Sequence, residues 1–488
     1  MRFNALGRLA RDRRGNVAMI FGLAAIPLLF AIGMGVDYAN NARRWSQMNA
    51  AADAAALAAV TPQMMTQSNS AAQTAATDMF NAQIAGFTGL TFNPTTNLTV
   101  TIANSGLTRT ATVSYSAQVA NVFGGILGAN TMSISGSSQA SGSTPPNVDF
   151  YLLLDTSPSM AIPGTQAGIN TMIANTSSQG GCAFACHEYN PAGDSLGNPG
   201  GEDNYALARA LGLTLRIDEV GQAAAAMVSS AISTMSQNTS SYGWTPTYRI
   251  AIDSFDTGIH SLFSLTSNLS SLQSSLSASP SPIQVYEVYD NNNICTTFKT
   301  PATNPPTCTA WSNNSDTDTN IDTTLSALNT SGNGNYIPNP GTGATGSTPA
   351  EVLMIVTDGV EDETVTGNVT AGSQLSLGSG KSRQQAPMAA NANVPSTATC
   401  TSIKNRGIKI AVLYTTYYPL DSGSVGSWYD SYIYQFQPGG ASGDQIGPDL
   451  QNNCASPGLF YQVSVGEDIS AALVTLFQMA LQSSHLTQ

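Results

Sequence analysis

The chain contains a short loop whose side chains are suited to holding a metal ion. This loop, Asp155–Ser159, has the sequence Asp-Thr-Ser-Pro-Ser and directly follows an apolar run that begins at Phe150. An apolar run of this kind predicts a buried strand. The loop then offers one carboxylate and two hydroxyls, and Mg²⁺ prefers such oxygen ligands. The sequence therefore predicts a cation-binding loop.

Two distant segments complete this set of oxygen ligands. Asp358 ends a second apolar run that starts at Glu351, and this run also predicts a buried parallel strand. Thr319 lies between the two runs, shortly before a helical pattern that starts at Thr323. Ligands of open α/β sheets gather at the carboxyl ends of the strands. We therefore expect Asp155, Thr319 and Asp358 to converge on one ion.

The combined pattern resembles the metal-ion-dependent adhesion site of von Willebrand factor A domains. That site has Asp-x-Ser-x-Ser, a distant Thr and a strand ending in Thr-Asp-Gly. The ligands that the resemblance implies here are Asp155, Ser157, Ser159, Thr319 and Asp358. Thr317 is an alternative to Thr319. The resemblance further implies Mg²⁺, with Mn²⁺ or Ca²⁺ as alternatives, and a partner protein whose carboxylate fills the open coordination position.

The N-terminal segment predicts a membrane anchor. Five arginines precede an uncharged span from Val17 to Val36. About 20 residues at a rise of ~1.5 Å cover the ~30 Å apolar layer of a bilayer. The excess of arginine before the span places the N-terminus in the cytoplasm and exports the rest of the chain. A cleaved signal peptide and processing after Gly15 are the alternatives to a retained anchor.

This segment also resembles the N-terminal part of TadE/TadG-like proteins of tight-adherence (Flp) pilus systems. The shared features are the basic start, Gly15, an apolar span that contains Pro27, and Asp37 at its end. Together with a C-terminal von Willebrand A domain, they form the TadG arrangement. The resemblance implies a single-pass protein of the bacterial inner membrane with a periplasmic C-terminal domain. The outer membrane or the cell surface is the alternative location.

Charge and cysteine content agree with export. Only 10% of the 488 residues are charged, and 10 basic and 28 acidic residues follow Ala50. An acidic body argues against nucleic acid as a partner, because phosphates require a basic face. All six cysteines follow Ala50, and an even number in an oxidising compartment suggests disulfides. We favour Cys295 with Cys308 and Cys400 with Cys454, which leaves Cys182 with Cys186.

Periodicity divides the chain into domains. The predicted parts are a basic cytoplasmic segment (1–15), a transmembrane helix (16–37), and a helical stalk with a small β module (38–144). An α/β domain (147–485) follows, in which strands and helices alternate as in a doubly wound, Rossmann-like sheet. Polar insertions rich in Gly, Asn and Pro interrupt this domain near 164–211, 283–315, 330–349 and 419–454. We expect these insertions to surround the metal end of the sheet.

Three functions compete on this sequence. The first is metal-dependent binding of a protein partner in pilus assembly or surface attachment, which is not an enzyme activity. The second is a structural envelope anchor whose A domain no longer binds metal. The third is metal-assisted hydrolysis, which needs a general base near the metal-bound water. The candidate bases are Asp316, Asp322, Glu361, Asp362 and Glu363.

Overall fold

The computed structural model describes residues 15–193, 197–198, 200–290, 293–298, 306–313, 319–366, 373–378, 381–390, 395–420, 429–464 and 466–485. The chain forms two compact units. The first comprises Met1–Thr144 with Ser241–Trp244, and the second comprises Pro145–Ser240 and Thr245–Gln488.

The first unit begins with a long helix, α1, over Gly15–Ala58. The apolar side chains in its first half are exposed, with Phe21 at 73% and Leu23 at 77%. In its second half, small residues such as Ala52 and Ala55 are buried. The shorter helices are α2 (Pro62–Met65), α3 (Asn69–Ile84) and α4 (Pro94–Asn97). One helix thus combines an unpacked apolar half with a half that packs in the core.

An antiparallel sheet completes the first unit. Its strands are β1 (Leu90–Thr91), β2 (Leu98–Ser105), β3 (Thr108–Ala120) and β4 (Thr131–Ser143). Burial alternates along β3, as expected for a strand with one face toward a core. Its inward residues Val113, Tyr115 and Val119 share a core with Met48 of α1 and Phe80 of α3. This unit is the α+β module that the sequence predicted.

The second unit contains a six-stranded sheet of order β17-β16-β12-β5-β7-β8. Its strands are β5 (Val148–Asp155), β7 (Tyr248–Phe255), β8 (Ile259–Thr266), β12 (Ala350–Thr357), β16 (Lys409–Thr415) and β17 (Phe460–Val463). All neighbouring pairs are parallel except β7 with β8. In chain order this reads 3-2-1-4-5-6, the order of doubly wound α/β folds. The predicted fold class is confirmed.

Helices cover both faces of this sheet, because its strands are apolar on both sides. On β5, Phe150 and Leu152 belong to one core, and Tyr151 and Leu153 belong to the other. The helices on the first face are α7 (Arg216–Tyr242), α8 (Leu269–Leu276) and α12 (Ile469–His485). The second face carries α9 (Ile321–Asn329) and α10 (Pro395–Asn405). The remaining helices are α5 (Gln166–Asn175), α6 (Asn204–Ala210) and α11 (Ile446–Asp449).

The insertions contain regular structure that the sequence reading did not predict. The first two join in a small sheet of order β11-β10-β9-β6. Its strands are β6 (His187–Glu188), β9 (Val288–Asp290), β10 (Asn293–Phe298) and β11 (Cys308–Asn313). A third sheet follows β12 and consists of β13 (Val360–Thr366), β14 (Ser373–Gly378) and β15 (Lys381–Pro387). These polar strands lack a long apolar run, which explains why periodicity missed them.

Two of the three favoured cysteine pairs form disulfides. Cys295 is bonded to Cys308 and Cys400 to Cys454. The prediction that Cys182 pairs with Cys186 is wrong in this structure, because neither residue belongs to a disulfide. The Cys182 thiol instead contacts the carbonyl of Phe184 at 3.7 Å. Burial is the main cause that raises the pKa of this thiol, so the neutral form is favoured there.

Candidate metal centre

Asp155 and Asp358 meet at one end of the central sheet. Asp155 is the last residue of β5, and Asp358 directly follows the neighbouring strand β12. These strands pair in parallel, with Leu154 opposite Val356, so their carboxyl ends lie side by side. Both carboxylates are fully buried, at 0% exposure. The convergence predicted from two strand ends is therefore present in the structure.

The loop and the second strand together fix the orientation of the Asp155 carboxylate. The backbone N–H and the hydroxyl of Ser157 donate to Asp155 Oδ1 at 3.1 and 2.6 Å. The Thr357 hydroxyl donates to Asp155 Oδ2 at 2.7 Å. Hydrogen bonds to both oxygens hold the carboxylate in one position, as a preformed ligand requires.

Ser159 joins the two carboxylates into one network. Its hydroxyl lies 3.0 Å from the Ser157 hydroxyl and donates to Asp358 Oδ2. The other oxygen, Asp358 Oδ1, is buried and has no hydrogen-bond partner in the described part of the chain. A buried carboxylate oxygen without a partner is costly, and a bound cation removes that cost. The oxygen donor set therefore fits a hard divalent cation.

Gly359 makes the strand end after Asp358 sterically feasible. Its φ of +82° lies in the left-handed region, where glycine is favoured. A Cβ there would lie about 2.4 Å from Ile446 Cγ2 and 3.1 Å from Leu450 Cδ1. The Gly359 N–H donates to the Thr357 hydroxyl at 2.9 Å. The Thr-Asp-Gly sequence thus combines a buried carboxylate, a positioning hydroxyl and a tight backbone turn.

Thr319 is the predicted ligand that the hydrogen-bond network does not include. It is buried and exchanges two backbone hydrogen bonds of 2.9 Å with Asp362. The next residue, Asn320, donates its N–H to the carbonyl of Asp256 at 2.8 Å. These bonds anchor the residue at the start of α9, and its role as a ligand stays a prediction. The alternative, Thr317, lies outside the described residues.

Arg216 belongs to the candidate metal centre and was not predicted from the sequence. It opens α7, and its Nη1 lies 3.6 Å from Asp358 Oδ2. Its Nη2 donates to the carbonyl and the hydroxyl of Thr415 at 3.0 and 2.7 Å. The guanidinium also lies over the ring of Tyr417, 5.0 Å from the ring centroid. A buried positive charge thus lies beside one of the two buried carboxylates.

The pKa values at the site reflect this burial. Burial first, and then the negative charge of Asp358, raise the pKa of Asp155 to about 7, although hydrogen bonds from Ser157 and Thr357 lower it. The same two causes raise the pKa of Tyr417 well above its ordinary value. The guanidinium therefore lies beside Asp358, and the carboxylates of Asp155 and Asp358 repel each other. A divalent cation between these carboxylates would relieve that repulsion.

The site is enclosed in this conformation. Ser159 is partly exposed, whereas the other three residues of the network are buried. Tyr417 is 5% exposed, and its hydroxyl interacts with Ser159 and Asp358. The described part of the 419–454 insertion packs into the core that contains Tyr417, on the second face of the sheet. In this core Ile446 contacts Gly359. Ile446 of this insertion therefore lies beside the strand end that carries Asp358.

A second acidic cluster lies near Thr319. The carboxylate oxygens of Asp322, Glu361 and Glu363 are within 4.8 Å of one another. Burial is the first cause that raises the pKa of all three, and it brings Glu363 to about 7 with help from the charge of Asp322. The Ser396 hydroxyl donates to Glu361 at 3.0 Å. Three of the candidate bases thus form a group, while Asp316 lies outside the described residues.

The N-terminal segment is similar to a known protein family. Residues 15–76 match the model of the Tad family, described as Flp pilus-assembly TadE/G-like. This match confirms the resemblance stated for that segment. The matched residues cover α1, α2 and the start of α3. A search of curated proteins finds no match to the chain.

Solved structures similar to the chain include bacterial pilus proteins. The PilB minor pilin from Streptococcus sanguinis is 9% identical with a TM-score of 0.33, and the alignment covers 80% of each chain. The vWF domain of the type V pili tip protein Mfa5 from Porphyromonas gingivalis is 12% identical, with a TM-score of 0.30 and coverage of 70% of this chain and 97% of that one. BatB from Bacteroides thetaiotaomicron is 11% identical, with a TM-score of 0.29 and coverage of 68% of this chain and 99% of that one. The fold assignment itself rests on the strand order described above.

Proposed function

We propose that the chain is a membrane-anchored component of a tight-adherence pilus system that binds a protein partner through a divalent cation. The ligands are Asp155, Ser157, Ser159 and Asp358, with Thr319 as the fifth. The observation that carries the proposal is the hydrogen-bonded network of the first four, with its unpartnered oxygen on Asp358. The family match of residues 15–76 supports the pilus context.

The chemistry of the ligands supports Mg²⁺, with Mn²⁺ and Ca²⁺ as alternatives. Two carboxylates and neutral hydroxyls are hard oxygen donors. Hydroxyls neutralise a cation less than carboxylates do, so a bound ion keeps affinity for a further negative ligand. A carboxylate of the partner protein supplies such a ligand. Ser159, the partly exposed member of the network, marks the side from which the partner approaches.

Arg216 and Tyr417 make partner binding depend on a rearrangement. Both side chains are buried and interact with Asp358 in the enclosed conformation. A cation at Asp358 competes with the guanidinium for the same carboxylate. The cation and the partner's carboxylate therefore favour a second conformation, in which these two side chains have moved away from Asp358. The shift is as large as the difference in the affinity of both ligands for the second and the enclosed conformation. This coupling makes partner binding metal-dependent.

The α1 helix is the proposed anchor of this protein. Between Met19 and Ala58 it contains a stretch that is long and apolar enough to cross a membrane, and almost all of that stretch is exposed. The excess of arginine before the span supports a single-pass protein of the inner membrane, with its N-terminus in the cytoplasm and its second unit in the periplasm. Delivery to the outer membrane or the cell surface is the alternative.

Chemical crosslinking in cells tests the proposed function. The tagged full chain is crosslinked in cells that make the pilus system, and the captured proteins are compared with and without a chelator. We expect capture of a pilus component to be lost with chelator and with Asp155→Ala or Ser159→Ala. Membrane fractionation must remain unchanged in both variants. Capture that survives chelator and both substitutions would favour the structural-anchor hypothesis instead.

A further inference from the structure

The loop 121–130 between β3 and β4 exposes an unusual concentration of apolar side chains. Val122 is 69% exposed, Phe123 38% and Ile126 71%. Residues 122–129 include no charged side chain, and an asparagine precedes and follows them. Exposed apolar clusters of this kind mark contact surfaces for protein or membrane.

The loop has a defined conformation that presents these side chains. The Asn121 N–H donates to the carbonyl of Asn130 at 2.9 Å, and the Asn121 side chain donates to the carbonyl of Ala129 at 2.9 Å. Inside the loop, the Ala129 N–H donates to the carbonyl of Gly124 at 3.0 Å. The exposed apolar residues therefore belong to a closed, hydrogen-bonded turn.

The α1 helix holds this loop at the end of its apolar span. The Asp37 carboxylate accepts hydrogen bonds from the N–H groups of Val122, Phe123 and Gly124 at 2.8, 2.9 and 2.6 Å. One turn earlier, Gly33 receives the Phe123 ring so closely that a Cβ at Gly33 would lie 2.5 Å from Cγ of the ring. Both helix residues are buried by these contacts, whereas Ile32, Met34 and Val36 beside them are exposed.

This attachment fixes the depth of the loop relative to the membrane. Asp37 directly follows the uncharged span that ends at Val36. Gly33 lies four residues earlier, which at ~1.5 Å per residue is about 6 Å inside the span. Apolar residues of interfacial segments lie about 5–10 Å inside the boundary between headgroups and acyl chains. The Phe123 ring is therefore level with the outermost part of the bilayer's apolar layer.

We propose that the loop 121–130 is a second membrane contact, in which Val122, Phe123 and Ile126 enter the bilayer beside α1. The inference rests on the proposed anchoring of α1 in a membrane. The bilayer is the favoured partner of this apolar surface, because the loop packs on α1 at Gly33 and lies beside the exposed apolar side chains of the helix. A loop fixed in this way sets the height and tilt of the β-sheet above the membrane, since β3 and β4 extend directly from it.

Depth-dependent fluorescence quenching tests this contact. The full chain, with Cys182→Ser and Cys186→Ser, receives one further substitution: Ile126→Cys, Leu28→Cys or Gln139→Cys. Each new thiol is labelled with an environment-sensitive fluorophore, and each protein is reconstituted in vesicles of phosphatidylethanolamine and phosphatidylglycerol. Some of the lipids carry bromine on the acyl chains and quench nearby fluorophores.

Position 28 reports the anchor, position 126 the loop, and position 139 the exposed middle of β4. We expect strong quenching at 28, quenching at 126 that is several-fold stronger than at 139, and a blue-shifted emission at 126. Quenching at 28 combined with equal values at 126 and 139 would overturn the loop inference and leave the anchor intact. No quenching at 28 would refute the anchor itself, and the loop inference with it.

A pair of glycine substitutions shows whether α1 positions the loop. Gly33→Val replaces the surface on which the Phe123 ring packs, whereas Gly35 has no atom within 4 Å of an added Cβ and serves as the control. We expect Gly33→Val to reduce quenching at position 126 several-fold, and Gly35→Val to leave it unchanged. If quenching at position 126 persists in Gly33→Val as it does in Gly35→Val, the loop reaches the bilayer without the helix contact, contrary to the proposal.

Discussion

Each residue of the candidate metal centre has a distinct role in the hydrogen-bond network. Ser157 and Thr357 orient Asp155, and Ser159 bridges to Asp358. Arg216 offsets part of the negative charge that the buried carboxylates bring together. A buried carboxylate without a counter-charge is strongly disfavoured, so this arginine stabilises the enclosed conformation.

Removing the charge of Arg216 is expected to strengthen cation binding. A guanidinium beside Asp358 repels a cation that binds the same carboxylate. We expect Arg216→Gln to lower the dissociation constant for Mn²⁺ about tenfold, a small part of the repulsion between two charges ~4 Å apart in a protein interior. Calorimetric titration of the full chain measures this value.

Arg209→Gln is the matched control, because Arg209 is a half-exposed arginine that pairs with Asp218. It should leave Mn²⁺ affinity unchanged. Unchanged or weaker binding in Arg216→Gln would contradict competition between the guanidinium and the cation.

Glu351, at the opposite end of β12 from Asp358, makes stability depend on pH. Burial first, and then the charge of Asp149, raise its pKa to about 8, although Arg249 and Arg406 lower it. The folded chain therefore keeps a proton that the unfolded chain releases, and this group's contribution to stability falls as pH rises from about 4.5 to about 8. Glu351→Gln removes this dependence and keeps a group that can hydrogen-bond to Tyr151.

We expect Glu351→Gln to gain thermal stability over the unsubstituted chain between pH 5 and 8, reaching about 2 °C or more in Tm at the upper end. Melting curves at several pH values measure the difference. The exposed Glu202 provides the control, and Glu202→Gln should give a constant offset. A gain for Glu351→Gln that shrinks toward pH 8 would refute the sign of this effect.

At the scale of elements, the turn after β12 is the least tolerant of change. Gly359 combines a positive φ with contacts to Ile446 and Leu450, so Gly359→Ala meets both backbone strain and overpacking. We expect it to lower the free energy of unfolding by about 2–4 kcal/mol. Chemical denaturation followed by near-ultraviolet circular dichroism measures the loss.

Gly458 separates the two causes, because its φ is +74° and nothing lies within 4 Å of an added Cβ. Gly458→Ala should cost only the backbone strain, about 1–2 kcal/mol. Equal losses in the two variants would show that packing against the 419–454 insertion contributes nothing at Gly359.

The strands that position the site were predictable, whereas the contacts that Arg216 and Tyr417 make with Asp358 were not. The apolar runs that end in Asp155 and Asp358 predict buried parallel strands, because such strands are apolar on both faces. Arg216 and Tyr417 lie in other elements and reach Asp358 only through the folded topology. Local patterns carry no signal for such contacts. The short polar strands β13–β15 were also not predicted. They are defined by their antiparallel pairing with one another and have no apolar pattern in the sequence.

At the scale of the whole molecule, the chain combines an apolar helix, an α+β unit and an α/β unit. Charge and composition set the apolar helix apart, because the basic start, the uncharged span and the acidic body differ sharply, whereas periodicity predicted the two folded classes. The disulfides of the second unit agree with an oxidising compartment. The state of the cysteines at 182 and 186 could not be predicted from their spacing, since a disulfide requires a distance and an orientation that spacing alone does not reveal.

Mn²⁺ binding by the purified full chain is the measurement that tests the central claim most directly. Titration followed by electron paramagnetic resonance compares the unsubstituted chain with Asp358→Asn and with the exposed control Asp53→Asn. We expect the unsubstituted chain and the control to bind Mn²⁺ alike, and Asp358→Asn to lose that binding. Binding that persists in Asp358→Asn would locate the ion elsewhere, with the cluster of Asp322, Glu361 and Glu363 as the next site to substitute. No binding by the unsubstituted chain would contradict the metal centre.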